Sequence, residues 1–106
     1  VLVDGGTSSA GDLFAYTMQR KGRALIIGHT PSGGLAGTVS GGQYYLPARG
    51  FIQVPTGALV DEDDQIIVEG TGVLPDVLVP LTIESLLSPT DEVLQAAEAT
   101  LREVVP

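Results

Sequence analysis

The chain has 106 residues, the length of one small domain. Apolar residues make up 43% of it and charged ones 17%, a balance that supports a packed core and excludes intrinsic disorder. Thirteen acidic side chains against five basic ones leave a net charge of -8, so phosphate backbones and anionic lipid surfaces are repelled and nucleic acid is not an expected partner.

No cysteine is present, which removes disulfides, thiolate metal sites and cysteine nucleophiles and suits either redox compartment. The longest strongly apolar run, 24–27, is too short to span a bilayer or to form the apolar core of a signal peptide. The chain begins at Val1-Leu2-Val3, which reads as the interior of a buried strand with no polar lead-in, so it is expected to be a piece of something longer.

After that strand, Asp4-Gly5-Gly6-Thr7-Ser8-Ser9 is suited to a tight turn and the start of a helix. Ala10, Leu13, Phe14, Thr17 and Met18 then recur at helical spacing, predicting an amphipathic helix over about 9–21. Asp12 in its first turn, Arg20 and Lys21 in its last and Gly22 just beyond complement the backbone dipole and supply a left-handed stop. A second buried strand over 24–28 completes a strand, helix, strand unit with parallel strands.

Residues 29–42 are rich in glycine and predict a loop, with a strand around 35–39. Strands over 43–46 and 51–54, joined through Pro47-Ala48-Arg49-Gly50, predict a hairpin. A short strand is expected over 65–68 and another over 77–79, which Pro80 puts on an edge. A last helix is expected from Thr90, with Thr90 as its cap and Val93, Leu94, Ala97, Leu101 and Val104 on one face.

Among candidate sites, Gly6 and Gly11 have the spacing of a phosphate-binding loop, but Asp12 stands where that loop needs lysine. The serine elbow of α/β-hydrolases needs glycine two residues to either side, and neither Ser8 nor Ser9 has both. Either serine still sits where free N–H groups and the positive end of a helix can stabilise charge developing on oxygen; their ordinary role there is to cap the helix. His29 follows the second strand and would leave the sheet at the same edge as Ser9, although a lone histidine there is more often a plain loop residue. The acids of 61–64 lack the glycine and acid of a calcium loop at its sixth and twelfth places, held here by Ile66 and Gly72, and read as a solvated turn. Glu69 ends an apolar strand before Gly70-Thr71-Gly72 and either orients a histidine or faces water.

Three blocks in order, 3–13 (Val3-Asp4-Gly5-Gly6-Thr7-Ser8-Ser9-Ala10-Gly11-Asp12-Leu13), Gly22-Arg23-Ala24 through Ile27-Gly28, and Glu69-Gly70-Thr71-Gly72-Val73-Leu74-Pro75-Asp76, resemble the C-terminal (tail-specific) processing peptidases and their tricorn-type relatives, over residues 1 to about 103. The resemblance implies an α/β fold with a ClpP/crotonase-like core of ββα superhelix type, of which the chain is the C-terminal part. It implies a serine peptidase that cuts exposed or unfolded polypeptide through an acyl-enzyme on Ser9, with the Ala10 N–H in the oxyanion hole.

The tail-specific branch uses a lysine in the loop after the second strand, where this chain has Gly34; its single lysine, Lys21, lies at the far end of the helix from Ser9. The resemblance therefore points to the tricorn-like branch, in which a histidine from an earlier part of the protein is the base and Glu69 its partner; that histidine is expected in sequence before Val1, with His29 the less favoured alternative. No cofactor or metal is implied. The expected partners are a polypeptide substrate, the remainder of the catalytic domain and, through uncovered apolar faces, further copies of the chain. The same family also contains retinoid-binding modules, so the alternative is a binding module for an apolar ligand or a partner subunit, with Ser9 only a cap.

Overall fold

The structure is a computed structural model, and it describes residues 1–37 and 43–104. Three short parallel strands form its sheet: β1 (Leu2–Val3), β2 (Ile27–Gly28) and β5 (Val77–Leu78), in the order β1-β2-β5, with β5 at an edge as Pro80 implied. Helix α1 (Ala10–Arg20) crosses between β1 and β2. Its ends fall where the sequence puts them because Asp12 and Arg20 match the dipole and Gly22, at φ 60, takes the left-handed step that ends it.

The strand expected over 24–28 is ordered mainly through its backbone. Only Ile27 and Gly28 form ladder pairs, while Leu25 C=O takes the Val1 ammonium and Ile26 C=O takes the Asp76 and Val77 N–H groups. The Asp76 carboxylate joins three elements: it accepts from Ile26 N–H at 2.7 Å and from Gln19 Nε2 of α1 at 2.9 Å. A small core lies between helix and sheet, formed by Val3, Ala15, Ile26, Ala36, Val68 and Val73.

The antiparallel hairpin of β3 (Gln43–Tyr45) and β4 (Phe51–Gln53) is present, closed over a short 3₁₀ turn at Pro47–Arg49. The strand expected around 35–39 is absent over 35–37, and its remainder lies outside the described residues. The strand expected over 65–68 does not form: a single bridge joins Val60 to Ile66, after which Val68 turns to φ 67 and the Glu69 N–H closes back on Ile67 C=O. That conformation is rare for a β-branched residue and takes the chain out of any strand.

A five-residue helix absent from the sequence reading, α2 (Ile83–Leu87), is started by a reciprocal capping box between Thr82 and Ser85. The last helix, α3 (Glu92–Val104), is capped by Asp91, whose Oδ1 accepts the Leu94 N–H at 3.0 Å, and not by Thr90, which pairs with Ser88. No helix among the described residues is long and apolar enough to cross a membrane.

Candidate active site

The site begins with the turn that leaves β1. Asp4 folds over it, its Oδ1 accepting from Gly6 N–H and Thr7 N–H, both at 2.9 Å, so residues 4–7 hold a fixed shape. The chain then reverses into α1 through a second turn closed by Gly11 N–H on Ser8 C=O. Ser9 stands at its second position with φ 55 and ψ -116, a backbone geometry that usually belongs to glycine. A non-glycine residue held there stores of order 1–3 kcal/mol and needs its surroundings to impose it.

The Ser9 side chain is exposed and makes no bond to the helix N–H groups, so capping, the ordinary role of such a serine, is not what it does. Ala10 opens the helix, and its N–H has no acceptor among the described residues. A free hydroxyl beside a free N–H at the positive end of a helix can support nucleophilic attack and stabilise the oxyanion that follows.

Two further segments close on this turn. In the loop 32–36, Gly33 N–H donates to Thr7 C=O at 2.6 Å and Leu35 C=O accepts the Ser9 N–H at 2.9 Å. In the turn 68–73, Gly70 N–H donates to Gly34 C=O at 2.7 Å and Ser32 N–H to Val73 C=O at 3.1 Å. Glu69 does not simply face water: it is half-buried, and its Oε2 accepts the Ala36 N–H at 2.9 Å. Leu35 thus holds the Ser9 backbone while its neighbour Ala36 holds the Glu69 carboxylate, which keeps Oε1 without a partner among the described residues.

Gly34, where the tail-specific branch carries its lysine, is buried at φ 67, and a Cβ there would lie 2.6 Å from the Gly72 N. No side chain fits. Lys21 follows the last turn of an eleven-residue helix, about 18 Å along its axis from Ser9 at 1.5 Å per residue. His29 is engaged by another segment: its Nδ1 donates to Val79 C=O at 2.7 Å, and the residue lines a cavity of about 460 Å³ with Asp4, Thr7, Ser85 and Val93. The acid run at 61–64 is a turn in which Asp61 accepts the Gln65 and Asp63 N–H groups. These bonds, that from Gln65 foremost, hold its carboxyl below the ordinary value of 3.8. Among the described residues no cluster of acids and histidine could hold a metal ion.

The sequence reading missed the roles of Asp12 and Ser32, both buried beneath the Ser9 turn. In the sequence Asp12 reads as a complement to the helix dipole, and its spacing from Ser9 matches a capping pair; nothing local marks the loop twenty residues on as its partner.

A serine on a strained strand-to-helix turn, with a carboxylate tied to the adjoining loop, is an arrangement found in hydrolases of the mixed α/β class. The sequence model of peptidase family S41 matches residues 1–79, and the chain belongs to that family. This is the family that the three blocks of residues resembled. A solved structure, the crystal structure of the tricorn protease, superposes on 99% of the chain with a TM-score of 0.81 at 24% identity. The chain spans about a tenth of the length of that protein, 10% of its chain.

Proposed function

We propose that the chain is the C-terminal part of the catalytic domain of a serine peptidase with a ClpP/crotonase-like core, acting on exposed or unfolded polypeptide. Ser9 Oγ attacks the scissile carbonyl carbon while a base outside these residues takes its proton. The oxyanion formed is held by the Ala10 N–H. When the C–N bond breaks, the base returns the proton to the departing amine, and water then hydrolyses the acyl-serine. Glu69, whose Oε1 has no partner among the described residues, orients a histidine base supplied by the rest of the protein.

The observation that carries this reading is the uncapped, exposed Ser9 hydroxyl on a backbone forced to φ 55. The test is a fluorophosphonate probe applied to the full-length protein. Labelling that disappears in Ser9→Ala is expected, whereas a folded parent that takes no label argues for the binding module. One feature favours that second reading: a mainly apolar cavity of about 490 Å³, where Leu25, Ile27, Leu101 and Val104 line the wall together with Arg23 and Asp76.

A further inference from the structure

We infer that Asp12 is a positioning residue that holds Ser9 and Glu69 in register, an inference that rests on the peptidase reading above. Asp12 is wholly buried, so it does not touch substrate, and its carboxylate is used entirely inside the molecule. Oδ1 accepts the Ser32 hydroxyl and the Gly34 N–H, the latter at 3.2 Å; Oδ2 accepts the Leu35 N–H at 3.1 Å. The peptide groups of residue 35 therefore face two ways, with the N–H on Asp12 and the C=O on the Ser9 N–H at 2.9 Å.

These links close a ring. It runs from Ser9 through the first turn of α1 to Asp12, across to Leu35, and back to the Ser9 backbone. The strain at Ser9 lies inside this ring, which supplies the surroundings such a conformation requires. One residue further, Ala36 N–H carries the Glu69 carboxylate, so the same pinned segment sets the second member of the proposed site. The Ser32 hydroxyl extends the network, donating to Asp12 while accepting the Val73 N–H at 2.7 Å, which fixes the far end of the turn that bears Glu69.

Only a carboxylate accepts from all three donors at once. An asparagine at position 12 would have one acceptor oxygen and an NH₂ group, which must face either the Gly34 or the Leu35 N–H, donor against donor. Turning the NH₂ toward Leu35 keeps the bonds from Ser32 and Gly34, so the Leu35 peptide is the one freed and no longer fixes Ser9, and displacements of about 1 Å at a reacting group cost on the order of a hundredfold in rate.

The test compares full-length parent, Asp12→Asn, Ser32→Ala and Ser9→Ala, per folded molecule as scored by cooperative melting. It measures the second-order rate of fluorophosphonate labelling together with kcat and apparent KM on fluorescein-casein. Asp12→Asn is expected to label at least tenfold more slowly, with kcat falling in step and KM within twofold of the parent, because no substrate contact is lost. Ser32→Ala, which removes one of the three donors, is expected to fall between. Folded Asp12→Asn that labels within twofold of the parent overturns the inference. Should Asp12→Asn not fold, Ser32→Ala decides: a threefold or greater slowing supports the inference, and an unchanged rate overturns it. A parent that takes no label, or labels as Ser9→Ala does, instead overturns the peptidase reading and this inference with it.

Discussion

Ser9 combines an exposed hydroxyl with a backbone at φ 55, so its chemistry and its strain can be separated by substitution. Ser9→Ala and Ser9→Gly both remove the hydroxyl, but only glycine relieves the Cβ clash. Both variants are expected to lose labelling, and Ser9→Gly to be the more stable by about 1 kcal/mol, the strain relief partly offset by glycine's greater freedom in the unfolded chain. Paired denaturant melts measure this, and equal midpoints would show that the turn stores nothing. That a serine would stand at this strand-to-helix turn was legible from local signals, a buried strand, a run of small residues and a helix start within nine residues, but those signals did not separate Ser9 from Ser8, and only the family resemblance singled out Ser9. The surroundings of Asp12 were not, since its three donors come from residues 32, 34 and 35 and no periodicity connects them.

At the scale of elements, α1 and the hairpin follow from patterns that tertiary contacts leave undisturbed. The run Ile66-Ile67-Val68 misleads for the opposite reason: its residues favour strands, but the turn that delivers Glu69 to Ala36 forces Val68 to φ 67. Helix α2 escaped notice because five residues carry too little periodicity to register, although Thr82 and Ser85 spell out its cap. For α3 the cap is one residue later than Thr90, and stability measurements should distinguish the two. Asp91→Ala, which removes the acceptor of the Leu94 N–H, is expected to cost about 1 kcal/mol, and Thr90→Ala only a few tenths, by urea unfolding. The reverse order would return the cap to Thr90. Asp76 is similarly placed to matter: Asp76→Ala leaves the buried Ile26 N–H without an acceptor, an expected loss of about 1–3 kcal/mol by the same measurement.

The whole molecule exposes 7526 Å², where a compact protein of 10.9 kDa exposes about 5,600 Å². Its radius of gyration, 17.1 Å, is well above the roughly 13 Å of a compact domain of this length. The excess area, about 1,900 Å², exceeds the roughly 800 Å² per partner of a standard interface. Part of it is the hairpin, whose cross-strand pairs Tyr44 with Ile52 and Tyr45 with Phe51 are all exposed. The 106-residue chain alone is therefore expected to self-associate, with the mass falling when Tyr45 and Phe51 are both changed to serine; sedimentation giving a monomer at every concentration would contradict this. The contact between Gly34 and the backbone at Gly72 carries a consequence for redesign. Because main chain already fills the volume beside residue 34, grafting a primary amine at that position would require remodelling both loops together, so position 34 of this scaffold is closed to any side chain by single substitution.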